Sequence, residues 1–386
     1  MKKLNMGVYL FALGHFCVDW AQGAIPALLP YFVQNYGLSY REAASLVFAN
    51  VLLSSVLQPV FGYYSDKISL PWLIPLGPLF CGLSITLIGF SSSYWTIFLA
   101  AMVCGLGSAL FHPEAALLVG RIAGDRKGQA LSTFSVGGNG GFAVGPLVAG
   151  FCAYTLGIPS LLVFGAVNAC AALLIARHLP QALESAARAA RSTMAKGKAG
   201  KKNDWPSFGR LSVVILARSL GFTLSNTFIP LFWVSVLAAS PGQGTRALSS
   251  LFLMGAVITY IGGLIADRMG FIPVLRASFL VMIPAMALFV NSSNIWLASL
   301  LLLPVAVSIF LPYSPIVVLG QAYLGKNAGF ASGVTLGLST TIGGILAPIV
   351  GWAADQWGLV TALQILWIAG VMGSIAAFTL KEPKNI

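Results

Sequence analysis

Charge is scarce in this sequence. Of its 386 residues, only 8% are Asp, Glu, Lys or Arg, whereas 58% are hydrophobic. A soluble protein of this size carries a far larger charged fraction, so the composition excludes a water-soluble globular protein. A charge at the centre of a membrane-spanning helix costs roughly 2.5 kcal/mol or more. The few ionisable side chains inside the apolar runs are therefore the first candidates for function.

Cysteine is also scarce, and catalytic motifs are missing. The five cysteines lie within apolar runs, and their spacing fits neither a disulfide framework nor a metal site. The sequence has no paired nucleophile and base, no zinc-spaced histidine set and no phosphate-binding loop. We therefore expect no metal and no cofactor. A membrane-embedded enzyme is disfavoured, and a receptor is disfavoured because no soluble signalling domain is present.

Long apolar runs dominate what remains. A helix needs about 20 apolar residues to cross a bilayer, whereas a strand of a membrane barrel has about 10 and alternates. The runs are long enough to be helices. We predict twelve membrane-spanning helices, near residues 6–34, 40–66, 70–92, 94–122, 126–155, 158–180, 208–237, 244–268, 271–291, 294–323, 327–356 and 358–380.

The positive residues predict an orientation. Of the 22 Lys and Arg residues, only Arg41, Arg218 and Arg246 lie outside the termini and the loops on the amino-terminal side. Positively charged loops stay in the cytoplasm, so both termini are predicted to be cytoplasmic. The net charge of +12 is explained by this topology and suits contact with anionic lipid. It does not indicate nucleic-acid binding, because there is no basic soluble domain.

Two copies of one motif divide the chain into halves. A Gly-x-x-x-Asp-basic sequence ends the second and the eighth predicted spans, at Gly62, Asp66 and Lys67 and again at Gly263, Asp267 and Arg268. Gly128 and Gly329, and Gly157 and Gly358, repeat at the same offset as the two motifs. Glycine allows two helices to approach closely, and the acid can cap or pair with a neighbouring helix. We interpret the motif as a conformational latch; a plain helix-end turn is the alternative for either copy alone.

The chain is therefore predicted to be an all-α membrane protein of two six-helix bundles, residues 1–180 and 208–386. Residues 181–207 carry six Lys and Arg residues and few large apolar ones, which indicates a cytoplasmic linker. A short amphipathic surface helix over about 183–194 is the alternative for part of it. Parallel repeats of six helices are the layout of the major facilitator superfamily of transporters.

Motifs in the first half extend this resemblance. They are Gly14-His15-Phe-Cys-Val-Asp19, Leu57-Gln58-Pro59-Val-Phe-Gly62 through Asp66-Lys67 with Pro71-Trp72, Gly105-Leu-Gly107 through Phe111-His112-Pro113-Glu114, and Val136-Gly137-Gly138-Asn139. Together they resemble the bacterial fosmidomycin resistance proteins, which are drug exporters of that superfamily. The likeness covers nearly the whole chain and is most specific over the first 150 residues; the second half matches mainly through its latch motif and its eleventh span. It implies a bacterial inner-membrane protein, monomeric by default, that transports a small molecule with protons.

The fifth span carries a further signature. Gly141-x-x-x-Gly145-Pro146-x-x-Ala149-Gly150 is similar to the fifth-helix motif of superfamily antiporters, with Ala149 in place of a glycine. Small residues bring this helix close to a partner, and Pro146 bends it. Ordinary glycine packing is the alternative interpretation.

Polar residues of the first span are the expected proton-coupling site. His15, Asp19, Gln22 and Pro26 fall on one helical face. Asp19 lies about 13 residues, or roughly 20 Å, into its span, near the midplane where such transporters bind cargo. Desolvation favours the protonated form of a carboxylate there, and His15 is a natural proton partner. A static hydrogen bond between helices is the alternative.

Glu114, in the fourth span, is the third expected proton-coupling residue, facing the cavity or paired with a base such as Arg121. His112 lies two positions away, on nearly the opposite side of the helix, so we expect the two not to share a cavity without local unwinding, to which Pro113 could contribute. His112 is expected either to pack between helices or to contact cargo.

Arg218 is the only base deep inside an apolar span. Its guanidinium could hold an anionic cargo or neutralise Asp19 or Glu114; snorkelling to the surface is the alternative. Further candidates for cargo contacts are amides and aromatics within spans, which also suit helix packing: Gln22, Gln58, Asn139, Asn226, Trp20, Phe111 and Trp233.

The function predicted from these features is a proton-driven exporter of small amphiphilic or anionic compounds that works by alternating access. Proton-driven import of a metabolite is the alternative. Counterflow against a pH gradient separates the two, because export by antiport moves cargo and protons in opposite directions.

Overall fold

The computed structural model describes residues 4–67, 70–123, 127–193 and 203–383, without the side chains of residues 59, 62–67, 127–129, 132, 188–193, 328–330, 332–333 and 336–340. These residues fold almost entirely as α-helices, as their apolar composition predicts. In chain order the helices are α1 (Met6–Tyr36), α2 (Tyr40–Lys67), α3 (Leu73–Gly89), α4 (Tyr94–Ile122), α5 (Lys127–Phe151), α6 (Leu162–Thr193), α7 (Trp205–Ser235), α8 (Pro241–Met269), α9 (Phe271–Val290), α10 (Ile295–Phe310), α11 (Tyr313–Tyr323), α12 (Ala328–Trp357), α13 (Leu359–Ala362) and α14 (Ile365–Phe378).

Two predicted spans are interrupted. The tenth divides into α10 and α11 at Leu311 and Pro312, and the twelfth into α13 and α14. Pro312 has no backbone N–H to continue the helical hydrogen bonds, yet Pro304 lies inside α10 without ending it. Proline is tolerated inside membrane helices where neighbouring groups satisfy the freed backbone.

Membrane crossing is supported for most of the helices. Eight stretches of the described chain are long and apolar enough to span a bilayer: 94–122, 133–156, 158–187, 205–235, 241–269, 271–290, 295–323 and 359–378. The helices α1, α2 and α12 are not among them, and α3 has only 17 residues. The protein is thus a multi-pass membrane protein, and the predicted number of twelve spans is not confirmed by this measure.

The predicted internal repeat has a counterpart in the backbone. Gly157 and Gly358, which repeat at the offset of the two Gly-x-x-x-Asp-basic motifs, both adopt a left-handed conformation, with φ of 89° and 84°. Their ψ angles are 147° and 152°. A side chain at either position would be strained. Equivalent glycines therefore break the chain in the same way in both halves.

The helices group into two compact units. The first contains residues 1–28 and 49–199, and the second contains residues 29–48 and 200–386. In the first unit α3 packs against α4 and α6; in the second α7 packs against α12 and α14. The start of α2 belongs to the second unit, where the Asp355 carboxylate accepts hydrogen bonds from the backbone N–H groups of Tyr40 (2.7 Å) and Arg41 (3.0 Å). These N–H groups have no partner within their own helix.

A row of glycines brings α5 against α1. A Cβ atom added to Gly137, Gly141 or Gly145 would overlap the backbone carbonyl of Ala12, Phe16 or Trp20, respectively. Both rows advance by four residues, so they follow one side of each helix. The backbones of α1 and α5 therefore approach closely at Gly141 and Gly145. We call this contact between α5 and α1 the glycine seam; Pro146, within α5, lies beside it near Gly23.

Candidate functional site

Three ionisable side chains meet inside the first unit. Asp19 is 5% exposed, and its Oδ2 lies 3.1 Å from His15 Nε2, one turn earlier on α1. Its Oδ1 lies 3.4 Å from Nε2 of His112, on α4, and accepts a 3.0 Å hydrogen bond from Gln22 Nε2. The His15–Asp19 pairing follows from their i, i+4 spacing. We call His15, Asp19 and His112 the two-histidine cluster.

Backbone carbonyls fix the outer nitrogen of each ring. His15 Nδ1 is 2.8 Å from the carbonyl oxygen of Phe134 on α5, and His112 Nδ1 is 2.9 Å from that of Ser108. A carbonyl oxygen can only accept, so each Nδ1 carries a hydrogen. In a neutral ring the Nε2 atom would then present a lone pair to a carboxylate oxygen. Each ring–carboxylate contact therefore becomes a hydrogen bond only when it holds an added proton.

The same donors define what else could bind. One atom from each of the three residues lies within 4.8 Å of the others, close enough for a single cation. Two imidazoles and one carboxylate suit several divalent metals. The ring–oxygen distances of 3.1 and 3.4 Å are those of hydrogen-bonded or nearly hydrogen-bonded pairs, so protons alone account for the arrangement.

Packing holds the cluster in place. The His15 ring stacks on Phe134 at 4.1 Å between centroids. The fully buried ring of Phe111 lies 6.1 Å from that of His15 and 6.0 Å from that of Phe134, between centroids. On α5, a Cβ at Gly138 would overlap His15 Nε2. The Val-Gly-Gly-Asn motif thus supplies a glycine that the cluster requires. Phe111, predicted to contact cargo, is here a packing residue with no exposed surface.

A chain of polar side chains extends from the cluster along α2 and α4. His112 Nδ1 lies 3.1 Å from Ser108 Oγ, which is 3.2 Å from Ser54 Oγ. Ser54 in turn accepts a 2.6 Å hydrogen bond from Gln58 Nε2. Ser54 and Ser108 are buried. Gln58, predicted as a cargo residue, is the outer end of this chain.

The structure places the two ionisable residues predicted on α4, His112 and Glu114, in separate environments. His112, expected to pack between helices or contact cargo, lies between α4 and α1, where it is a partner of Asp19. Glu114, expected near the proton site, turns away and accepts a 2.7 Å hydrogen bond from the backbone N–H of Leu70. The two side chains leave α4 on nearly opposite sides, so only one of them can reach α1. That residue is His112, whereas the residue predicted to couple protons was Glu114. A proton-coupling role for Glu114 within this cluster is therefore not supported.

Trp20 is held by a residue that sequence reasoning missed. Its Nε1 donates a 2.6 Å hydrogen bond to Asn168 Oδ1, and its ring lies 4.3 Å from that of Phe164. The Asn168 amide also donates to the carbonyls of Cys17 (3.0 Å) and Pro78 (2.9 Å). Asn168 joins α1, α3 and α6, and an amide inside the sixth apolar run was the available signal. Trp20, predicted to contact cargo, is buried in this junction.

Arg218 lies in the second unit, on α7, and is 4% exposed. Its Nε donates a 2.9 Å hydrogen bond to the Ile309 carbonyl. The guanidinium carbon lies 5.0 Å from the centre of the Tyr313 ring and 5.5 Å from that of Phe222. Snorkelling to the surface is therefore wrong for this arginine.

The remaining predicted residues fall into three groups. Asn226 and Trp233 are buried on α7, where the Trp233 ring packs 5.9 Å from Phe289. Asn139 is half-buried on α5. Of the latch motif, Gly263 is half-buried and Asp267 and Arg268 are exposed, whereas the side chains of the first copy, at Gly62, Asp66 and Lys67, lie outside the described residues.

Comparison with known proteins defines the class. The family model of the Major Facilitator Superfamily matches residues 11–347, and the chain belongs to this superfamily of membrane transporters, which are not enzymes. Among curated relatives, the fosmidomycin resistance protein of Escherichia coli (strain K12) is 27% identical over 373 residues, 95% of this chain and 91% of that protein. The uncharacterized MFS-type transporter YfnC of Bacillus subtilis (strain 168) is 29% identical over 98% of this chain and 93% of its own length.

A solved structure agrees with the fold. The crystal structure of a bacterial homologue of the human lysosomal transporter Spinster, inward-facing and occupied, superposes with a TM-score of 0.79 over 96% of this chain and 95% of that one, at 14% identity. At this identity the likeness concerns the fold alone. The predicted resemblance to the fosmidomycin resistance proteins is confirmed by the sequence relatives.

Proposed function

We propose that this transporter is a proton-coupled exporter of small organic compounds, and that the two-histidine cluster is where its protons bind. The observation that carries the proposal is the pair of imidazole–carboxylate contacts, 3.1 and 3.4 Å long, on a carboxylate buried inside an apolar helix. Such intramembrane groups commonly form proton relays. Glu114, the other buried carboxylate of the described residues, contacts a backbone N–H group instead.

Protonation would act on the packing of the helices. With both contacts protonated, two imidazolium rings flank one carboxylate and tie α1 to α4. With neither protonated, lone pairs face each other across both contacts and the attraction is lost. Proton binding thus favours one arrangement of α1 and α4, and proton release favours another. Alternating access needs this kind of two-state element at the cargo site.

The direction of transport is proposed from the relatives. The curated relative that covers 95% of this chain is named a resistance protein, and removal of a toxic compound from the cell is export. The glycine seam between α5 and α1 matches the antiporter-like motif predicted for the fifth helix. Antiport would send protons inward as cargo leaves. Import by symport would move both in the same direction.

The proposal includes a topology. Residues 1–180 and 208–386 would form the two six-helix halves of a monomer in the inner membrane, joined by a cytoplasmic linker at 181–207, with both termini cytoplasmic. The two Gly-x-x-x-Asp-basic motifs would then latch the cytoplasmic side. A reporter enzyme that works only outside the cytoplasm, fused after Lys198, should be silent. Activity of that fusion would overturn the orientation.

The first experiment is a susceptibility panel. Bacteria that lack their own exporters are compared with and without the protein across antibiotics and metabolites, with fosmidomycin as the first compound. We expect raised resistance to at least one compound, and lower accumulation of that compound in the cells. Purified protein in vesicles should then move the same compound unaltered, with chelator present to separate proton from metal effects. Greater accumulation inside the cells would establish import instead.

A further inference from the structure

Arg218, in the second unit, is a buried cation with no anionic partner among the described residues. Arg218 is 4% exposed, and its Nε–H bonds the Ile309 carbonyl. Among the described residues, no hydrogen bond reaches its two Nη atoms and no carboxylate pairs with it. Each Nη carries two N–H groups, so four of the five donors have no acceptor there. A buried guanidinium in this condition is costly unless an anion joins it.

Another arginine of the same unit shows what a structural role looks like. Arg276, half-buried on α9, donates through Nε to the Ala377 carbonyl (3.2 Å) and through Nη2 to the carbonyls of Phe378 (3.4 Å) and Leu380 (3.1 Å). These carbonyls lie at and just beyond the end of α14, where a helix leaves acceptors for a cation, and that of Ala377 also accepts the backbone N–H of Leu380. Arg276 therefore uses its hydrogen-bonding edge to bind the end of a helix, whereas the two Nη atoms of Arg218 have no acceptor within the described part of the chain.

Two aromatic rings lie beside the guanidinium of Arg218. Tyr313 and Phe222 lie 5.0 and 5.5 Å from the guanidinium carbon. Rings stabilise a cation through its charge without accepting its N–H groups in the plane. A guanidinium supported in this way can still form two parallel hydrogen bonds to an oxyanion.

Along α7 from Arg218, the side chains on the same helical face are first aromatic and then polar. Phe222 lies 5.8 Å from Phe252 and 5.9 Å from Phe310, between ring centres. One turn past Phe222, the buried Asn226 has an Oδ1 atom with no hydrogen-bond partner in the described chain. Arg218, Phe222 and Asn226 are spaced i, i+4 and i+8, which keeps them on one face of α7 over about 12 Å.

The geometry points to Arg218 as the binding site for the oxyanion group of an organic cargo. The carboxylate or phosphonate oxygens of that cargo would accept two hydrogen bonds from the Nη atoms. Its apolar body would lie along Phe222, and a hydroxyl or N–H at the far end would donate to Asn226 Oδ1. This rests on the proposed function only in treating the bound compound as cargo. A bare inorganic anion would contact only the Nη atoms of Arg218 and would leave the Phe222 ring and Asn226 Oδ1 without a ligand contact.

The test is equilibrium binding to the purified full-length protein in lipid nanodiscs, without a proton gradient. The probes are 4-hydroxycinnamate, its neutral amide, inorganic phosphate and nitrate, followed by calorimetry. We expect the carboxylate to bind at least about tenfold more tightly than the amide and than either inorganic anion. Arg218→Gln should weaken carboxylate binding by about ten- to a hundredfold, and Arg218→Lys less, because it keeps the charge without the fork.

Arg276→Gln is the matched control, since it removes an arginine whose edge already has acceptors; its affinity for the carboxylate should equal that of the parent. Equal affinity for acid and amide, unchanged binding by Arg218→Gln, or no binding of the carboxylate at all would overturn the site. Arg218→Lys guards against a variant that fails to fold. A proton gradient that drives transport of a neutral compound, with no anion bound, would refute this site and leave proton coupling intact.

Discussion

Replacing Asp19 with Asn removes the one acid between the two histidines and changes little else. The Asn amide is of the same size, and its Nδ2 can donate to the neutral Nε2 of one ring. In the parent, the Asp19 oxygens lie 3.1 Å from Nε2 of His15 and 3.4 Å from Nε2 of His112. No added proton is needed to satisfy that contact. The variant should therefore fold and bind cargo while losing the coupling of protons to transport.

The cargo gradient that the parent should reach follows from the number of protons coupled to transport, at most one for each ring–carboxylate contact. A difference of one pH unit is worth about 1.4 kcal/mol per proton, which is a factor of about ten in the cargo gradient. With one coupled proton the parent should hold about a tenfold cargo gradient. Two protons, one for each ring–carboxylate contact, set an upper limit on the order of a hundredfold. Asp19→Asn should reach no gradient at all, a ratio of about one.

The assay uses vesicles loaded with a compound found in the susceptibility panel. Gradient-driven accumulation is measured beside exchange of labelled for unlabelled compound without a gradient. Asp19→Asn should keep exchange and lose accumulation. Glu114→Gln is the control, because Glu114 accepts the Leu70 N–H and glutamine retains an acceptor; it should accumulate normally. Parental accumulation by Asp19→Asn would refute the assignment, and loss in Glu114→Gln alone would transfer the coupling role to Glu114.

Three further predictions follow from other parts of the structure. Gly138→Ala should slow gradient-driven transport at least about tenfold by displacing His15, whereas Gly140→Ala, whose added Cβ would meet its nearest neighbour at 3.5 Å, should leave the rate unchanged; equal rates would contradict the packing argument. Asp267→Asn should slow transport without reducing membrane insertion, and a parental rate would mean that the motif is only a turn. Asp204 is the N-cap of α7, and its side chain accepts a 3.0 Å hydrogen bond from the backbone N–H of Ser207. Hydrogen bonds from the Ser207 side chain and backbone lower the pKa of Asp204, so its stabilisation of α7 is complete above about pH 4 and lost as pH falls through the lower pKa of the folded state. Asp204→Ala should therefore speed hydrogen exchange in the first turn of α7 at neutral pH, by a factor that shrinks in strong acid; a factor independent of pH would contradict this.

Much of the fold could be predicted because its signals are local or periodic. Hydropathy and length located the helices, and the shared offset of the repeated motifs anticipated the matched conformations of Gly157 and Gly358. The interruptions between α10 and α11 and between α13 and α14 could not be predicted from proline alone. Pro304 continues a helix and Pro312 precedes one, because surrounding helices decide which freed backbone groups find partners.

The candidate site was predictable only within one helix. The spacing of His15 and Asp19 placed them together, since one turn of helix separates them. His112 could not be assigned to them, because its contact depends on how α4 is rotated against α1, which the sequence does not encode locally. Asn168 was missed for a similar reason: its three hydrogen bonds reach two other helices, α1 and α3. Contacts between distant helices require the packed structure.

The most direct test of the central claim is the direction of coupled flow in vesicles that contain only the purified protein. Cargo and a pH-sensitive dye are followed together after an imposed pH step, in the absence of any other energy source. We predict that protons and cargo move in opposite directions, that the cargo gradient rises with the size of the pH step, and that Asp19→Asn abolishes both responses. Cargo that merely equilibrates, whatever the pH step, would contradict the account.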